Sequence, residues 1–182
     1  MMKEKIVIIG AGGHGKVICD AVVAQNKYDL LGFVDDALPI GSVVLNGYKV
    51  IEKQKNIQNL KDLKCLFIVA IGNNEVRERI YNLAAEFLEA AIVIHPAAII
   101  GSEVKIGKGS VILANGMVNA CSQLGINSIV NVNAIVDHDC MIGDYVHLSI
   151  GSLVGSNSTI CDYYATTIGE KIPAFSKITI KL

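Results

Sequence analysis

Residues 117–148 read "MVNACSQLGINSIVNVNAIVDHDCMIGDYVHL", and from Val118 every sixth residue is aliphatic: Val118, Leu124, Val130, Val136, Ile142 and Leu148. Followed outward, the register holds without a break back through Ile112, Ile106 and Ile100 to Ile94, and forward through Val154 to Ile160. The position after it is repeatedly glycine, at Gly101, Gly107, Gly125, Gly143 and Gly155. A period of six is of no use to an α-helix, whose 3.6 residues per turn scatter such positions around the axis. It suits a coil of short strands in which each sixth side chain points inward and three hexads complete one turn. The expectation is a parallel β-helix, its stacked coils burying one aliphatic column and pairing their backbones coil to coil.

Upstream the period changes. "KIVIIGAGGHGKVICDAVVAQ" (5–25) is a buried strand, a glycine turn and a helix-length apolar pattern with Val17, Ala21 and Ala24 on one face. "LLGFVDD" (30–36) is a second strand ending in paired acids, and "YKVI" (48–51) and "CLFIVAIGNN" (65–74) read as further strands. "EVRERIYNLAAEFLEA" (75–90) is a helix behind a polar cap at Asn73 or Asn74, whereas "ALPIGSVVLNGYKV" (37–50) looks like loop and turn. The charges of "KEK" and "VRER" read as solvated faces. Strands alternating with helices predict a small, mostly parallel sheet with helices on its faces. The fold class is therefore α/β plus all-β: a Rossmann-like βαβ domain over 1–91, then a β-helix over 92–182.

Bulk properties narrow the function. The 182 residues are 52% hydrophobic and 18% charged, yet no apolar run reaches membrane-spanning length. "MMKEKIVIIGAGG" turns from apolar to glycine too early for a secretory signal, so a cytoplasmic chain is expected. A formal charge of −1 provides no basic field for nucleic acid or an anionic membrane. The five cysteines, Cys19, Cys65, Cys121, Cys140 and Cys161, lack C-x-x-C spacing and read as free thiols, with no metal site.

One further stretch carries chemistry: "IVDHDCMIGDYVH" (135–147) sets His138 between Asp137 and Asp139, with His147 following. "GAGGHGKV" after the first strand, "FVDD" after the second, "AIGNNEVRERI", "HPAAIIG" at the start of the repeats and "IVDHDCMIGDYVHLSIGS" occur in order over residues 5 to about 160. Together they resemble the bacterial sugar acetyltransferases of the PglD/NeuD type. The resemblance implies a Rossmann-like domain that holds a nucleotide-linked amino sugar and a left-handed β-helix that assembles as a homotrimer. It also implies acetyl-CoA as co-substrate, seated between neighbouring subunits, and no metal.

Acyl transfer to an amine or hydroxyl needs the nucleophile's proton removed as it attacks the thioester, a task for a histidine of near-neutral pKa. A neighbouring carboxylate fixes the imidazole tautomer and favours the imidazolium that forms. His138 is thus the expected general base and Asp139 its orienting partner, a pair the resemblance also implies. Asp137 cannot share a face with both neighbours on an extended strand. The resemblance places His147 near the acetyl group and Asn131 near the sugar. Ser156, eighteen residues beyond His138 and next to Gly155, is spaced to offer a backbone N–H to the oxyanion of the tetrahedral intermediate.

Gly10, Gly12, Gly13 and Gly15, between a strand and a helix, suit a diphosphate through backbone donors and the helix N-terminus. An acid after the second strand can accept from ribose hydroxyls or a base N–H. The resemblance gives this turn, with His14 and the acids Asp35 and Asp36, to the nucleotide. Gly72 and Asn73 sit at a third strand end, the usual mouth of such sheets. His95, before Pro96, reads as a turn residue where the repeats begin.

The end of the chain departs from the pattern. Thr166 takes an aliphatic position, and "CDYYATTIGEKIPAFSKITIKL" (161–182) replaces the glycine-rich coils that the resemblance leads one to expect. A shortened C-terminal part, with a reduced acetyl-CoA seat, is the expectation. Three readings follow. The first is an N-acetyltransferase for a UDP-4-amino-sugar type of substrate, favoured because the glycine turn and the His–acid pair both stand. The second is an O-acetyltransferase for sialic acid or another sugar, and the third is a trimeric module that binds a nucleotide sugar without turning it over.

Overall fold

The computed structural model describes residues 3–179. The N-terminal unit contains β1 (Glu4–Ile9), α1 (Gly13–Gln25), β2 (Tyr28–Val34), β3 (Val43–Leu45), β4 (Tyr48–Glu52), β5 (Leu66–Val69), α2 (Asn74–Ala85) and β6 (Glu89–Ala90). The sheet order is β3-β4-β2-β1-β5-β6, parallel throughout except for β3 against β4. Central β1 buries Ile6, Val7, Ile8 and Ile9 completely, as a parallel strand covered on both faces must.

Three local expectations change. First, α1 buries Gly15, Ile18, Cys19, Ala21 and Val22, while Val17 and Ala24 face outward. The cause is Gly15: a Cβ there would lie 2.2 Å from the Gly10 carbonyl oxygen. That close approach pins the first helical turn to the strand end and sets positions 15, 18, 19 and 22 inward. Second, a hairpin occupies part of the expected loop, because Asn46 and Gly47 both adopt left-handed φ (51° and 83°), the requirement of a tight two-residue turn. Third, α2 stops at Ala85, and Glu89–Ala90 pairs with Leu66–Phe67 instead of continuing the helix.

From Val93 the chain winds into a three-faced β-helix of two-residue strands, each pairing with the residues eighteen further on, as Val111 does with Ile129. The first face stacks Val93–Ile94, Val111–Ile112, Ile129–Val130 and His147–Leu148. The second stacks Ile99–Ile100, Met117–Val118, Ile135–Val136, Leu153–Val154 and Lys171–Ile172. The third stacks Lys105–Ile106, Gln123–Leu124, Met141–Ile142, Thr159–Ile160 and Lys177–Ile178. The second residue of each strand points in, and these residues form one core apart from Ile100 in the first coil, which is exposed. Left-handed residues turn the corners; asparagine, at Asn115, Asn127, Asn133 and Asn157, recurs most among the non-glycine ones because it tolerates that region better than most.

The ladder does not stop at Ile160. Residues 161–179 form another coil in register, with Lys171–Ile172 on Leu153–Val154 and Lys177–Ile178 on Thr159–Ile160. Thr166 fills its aliphatic slot buried yet satisfied: its Oγ1 accepts from the Ser149 N–H at 2.6 Å and donates to Ser152 Oγ at 3.0 Å. A polar side chain is tolerated in that core because each of its demands is met. Residues 180–182 lie outside the described part.

The two units meet where the end of β5 and the start of α2 lie on the first face. Asn74 Nδ2 donates to the Tyr163 carbonyl at 2.7 Å, and Tyr163 Oη donates to Glu78 at 2.8 Å. Tyr81, Tyr145 and Tyr163 form a run of ring contacts across the same junction.

Candidate active site

The chemistry-bearing residues fall into two groups on different sides of the prism. The first lies at the corner between the second and third faces. There Asp139 takes the left-handed conformation (φ 56°), folding its carboxylate back so that Oδ2 lies 2.7 Å from His138 Nδ1. Each side chain is about half exposed (51% and 53%). The Nδ1–H donates to the carboxylate, leaving the lone pair of Nε2 directed away from Asp139. That hydrogen bond, reinforced by the charges of Asp137 and Asp139, raises the His138 pKa above the usual histidine value.

Asp137 does not turn toward the imidazole. Its Oδ1 accepts from Asn119 Nδ2 at 3.0 Å, one coil earlier, and from the His138 backbone N–H at 2.8 Å. Those bonds hold its carboxyl below the usual range, with a smaller contribution from the Ser156 backbone N–H. The Ser156 N–H, one coil beyond His138, is thus directed at the Asp137 carboxylate. Gly155 is glycine for packing, since a Cβ there would lie 2.5 Å from the Ala174 nitrogen of the next coil.

The second group gathers on the first face, under the N-terminal unit. His147 Nε2 lies 3.1 Å from Asn131 Nδ2, and its Nδ1 lies 3.3 Å from the Gly72 carbonyl oxygen. Asn131 Oδ1 is occupied by the Val132 N–H at 2.8 Å, so its amide nitrogen faces the ring. An amide nitrogen only donates, which makes Nε2 the acceptor and puts the imidazole proton on Nδ1. The His14 ring lies 6.2 Å from the His147 ring, and His14 Nε2 is enclosed without a hydrogen-bond partner. Burial is the main cause lowering both pKa values; for His14, with the charges of His147 and Arg77 adding, it falls to about 4. Both rings are therefore neutral at physiological pH.

The glycine turn lies beside this group. Gly12 and Gly13 are exposed, and a Cβ at either would meet nothing within 4 Å, leaving open space over the turn. Gly10 and Gly15 are glycine because backbone passes too close for a side chain. Asp35 ties the turn to the end of β2, accepting from the N–H groups of Ala11 (2.8 Å), Ala37 (2.9 Å) and Leu38 (3.0 Å). Asp36 accepts from the Gln54 N–H at 2.9 Å, and Asn73 caps α2 by accepting from the Val76 N–H at 2.9 Å. These three side chains thus do structural work at the strand ends. His95 Nδ1 accepts from the Ala97 N–H at 3.0 Å in the turn that opens the coils.

The structure brings His14, Gly72, Asn131 and His147 together and sets His138 and Asp139 apart from them. It also adds two participants. Asn119 is placed by the eighteen-residue coil alone. Arg77 belongs to the "VRER" charges expected to face solvent, yet it is fully buried and donates only to backbone carbonyls. Its position three and seven residues before Ile80 and Ala84, on the buried stripe of α2, is the signal that marks it. Among the described residues no cluster of three or more His, Cys, Asp or Glu is placed to hold a metal, and no helix is long and apolar enough to cross a membrane.

Comparison with known proteins supplies the family. The PglD N-terminal domain model matches residues 5–84. UDP-N-acetylbacillosamine N-acetyltransferase of Bacillus subtilis (strain 168) is 34% identical over 114 residues, which are 61% of this chain and 52% of that protein, so the match spans about half of that relative. The acetyltransferase domain of PglB from Neisseria gonorrhoeae, solved with acetyl coenzyme A, is 34% identical; the match covers 97% of this chain and 88% of that one, with a TM-score of 0.74. A histidine variant of perosamine N-acetyltransferase from Caulobacter crescentus, solved with CoA and GDP-perosamine, is 26% identical, with 98% and 90% covered and a TM-score of 0.75. The coil is accordingly the left-handed β-helix of hexapeptide acetyltransferases. Carrying that coil behind a PglD-type N-terminal domain, the chain belongs to the PglD/NeuD-type family of bacterial sugar acetyltransferases.

Proposed function

We propose that the protein transfers the acetyl group of acetyl-CoA to the amine of a nucleotide-linked amino sugar, with His138 as general base. The observation that carries the reading is the His138–Asp139 pair, 2.7 Å apart on an open corner of an acetyltransferase β-helix. With its proton on Nδ1, His138 offers Nε2 to the acceptor. The amine nitrogen attacks the thioester carbonyl carbon while Nε2 takes its proton, and Asp139 stabilises the imidazolium. The oxyanion takes the Ser156 N–H in place of the Asp137 carboxylate, its partner in the free chain. As the intermediate collapses the C–S bond breaks, and the proton on Nε2 passes to the departing sulfur, giving amide and CoA thiol.

The chain's own residues suit the two substrates at different places. The open turn at Gly12 and Gly13, with the N-terminus of α1 behind it, fits a diphosphate, and the neutral His14 and Asn131 fit the uncharged parts of a sugar; His147, expected beside the acetyl group, is drawn into this group by its contact with Asn131. Asp35 and Asp36 retain acceptor capacity for a ribose or base beyond the backbone bonds they make. The donor seat adjoins His138, where Gly155, Ser156 and, one coil on, the exposed Phe175 line the same corner. The coil from Thr166 to Ile178 stacks on that region in register, which favours turnover over a merely binding module.

The faces of the β-helix support a homotrimer. The first is covered by the N-terminal unit, and the third presents Lys105, Gln123, Met141, Thr159 and Lys177. The second presents Ile99, Met117, Ile135 and Leu153, an apolar column over four strands that ends at Lys171, with Ile99 and Leu153 exposed in the single chain. Apolar surface of that extent seeks a partner. Because His138 flanks this face and the sugar-type pocket lies on another, a neighbouring copy completes the site. A cytoplasmic location accords with acetyl-CoA as donor.

The test is acceptor-dependent release of CoA thiol. UDP- and GDP-linked amino sugars are compared with free and CMP-linked sialic acid. Turnover confined to an amino sugar supports the reading, and turnover confined to sialic acid replaces it with O-acetylation.

A further inference from the structure

We propose that Arg77 is a positioning residue of the acceptor site, fixing the Gly72 carbonyl and, through it, the single hydrogen-bonding arrangement of His147 and Asn131. The word acceptor rests on the function proposed above; the geometry is independent of it. Arg77 is 0% exposed, and its five N–H groups meet five carbonyls. Nε donates to Asn127 at 2.9 Å, Nη1 to Ile71 at 3.2 Å and Gly72 at 3.0 Å, and Nη2 to Tyr145 at 2.7 Å and Val146 at 3.4 Å. Two of those carbonyls belong to the strand end of the N-terminal unit and three to one corner of the β-helix. Its five hydrogen-bond acceptors among the described residues are all backbone carbonyls, so their dipoles hold a buried cation.

That arrangement does more than join two units. The Gly72 oxygen takes one hydrogen bond from Arg77 and one from His147 Nδ1–H, 3.3 Å away. With Nδ1 committed as donor, Nε2 must accept, and Asn131 is held by it on one side and by Val132 on the other. Arg77 thereby sets a chain of four groups that ends at Asn131. The positive charge also opposes any second cation nearby: the titratable groups facing it are His14 in the first turn of α1, His147 on the first face and Tyr145 at the corner. Lysine cannot substitute, since an ammonium offers three donors from a point where the guanidinium spans five acceptors in a plane.

The test is ¹⁵N NMR of the imidazole rings in histidine-labelled protein, wild type and Arg77→Lys, with steady-state kinetics on both substrates. In the wild type His147 shows the Nδ1–H tautomer alone. In Arg77→Lys it becomes a mixture of tautomers, and KM for the nucleotide sugar rises about tenfold, as for a lost hydrogen bond, while KM for acetyl-CoA and kcat hold within about twofold. An Nε2–H tautomer in the wild type overturns the proposal outright, whether or not the variant folds. So does an unchanged His147 tautomer in Arg77→Lys, or an equal rise in both KM values, the mark of general loosening. Because the spectra need no substrate, an absence of turnover with nucleotide sugars faults the proposed function and leaves Arg77 standing.

Discussion

His138 and His147 stand nine residues apart in one coil, and their surroundings drive them in opposite directions. His138 sits half exposed at a corner, bonded to a carboxylate that raises its pKa. His147 sits under the N-terminal unit, where burial and the Arg77 charge lower its pKa and where both ring nitrogens are engaged. Residue type alone does not decide which histidine moves a proton. A histidine with one nitrogen held by an acid and the other free can cycle; one with both nitrogens committed and its cation disfavoured can only position.

The largest effect that sharpens this contrast is on turnover. His138→Gln is expected to lower kcat by about 10²–10⁴-fold, the usual worth of a general base, with unfolding free energy changed by less than about 1 kcal/mol, as for an exposed side chain. Denaturant melts beside the assay check both. A variant at near-normal turnover breaks the contrast.

Acid stability probes the buried side. The His14 pKa lies near 4 in the folded chain against 6.5 in the unfolded one. Between those values the unfolded state binds the extra proton, so stability falls as pH drops from about 6.5 toward 4. The loss for this group is on the order of 3 kcal/mol. His14→Gln flattens that part of the curve in urea titrations at stepped pH, whereas an unchanged slope places His14 in a solvated setting.

Asp139→Asn separates charge from shape, because asparagine accepts the left-handed φ of 56° that Asp139 adopts. Turnover is expected to fall about 10–100-fold, corresponding to the loss of a charge-assisted bond. The pH profile also carries the sign. In the wild type kcat/KM falls as pH drops through a value above 6.5, since protonated His138 cannot accept. In the variant that limb moves to lower pH, because the carboxylate that raised the value is gone.

The smallest effect concerns the core. Thr166→Val restores the aliphatic register but strands the part-buried Ser149 N–H, at a cost of about 1 kcal/mol read from thermal unfolding. A gain in stability instead would mean that the hydroxyl only fills space.

Much of this was legible in the sequence because the β-helix is a one-dimensional repeat. Once the sixth-residue ladder is seen, inward positions follow, and so do the coil neighbours eighteen residues apart that set Asn119 by Asp137 and Ser156 beyond His138. The continuation through Thr166 was not legible, because a buried hydroxyl is betrayed only by partners, Ser149 and Ser152, that the fold brings beside it. The stripe of α1 was misread because Gly15 touches Gly10, a backbone contact that hydrophobic periodicity does not encode. Arg77 was hidden for the same reason in larger form: its five acceptors come from two units docked against one another. The division of the histidines follows from that docking, which buries His14 and His147 and leaves His138 outside.

The most direct test of the central claim is a thiol-release assay with acetyl-CoA and a UDP-4-amino sugar, comparing the wild type with His138→Gln at equal folded concentration. The account predicts CoA release that requires the amino sugar and collapses in the variant. Release that persists without His138, or no amino-sugar-dependent release from folded wild-type protein, contradicts it.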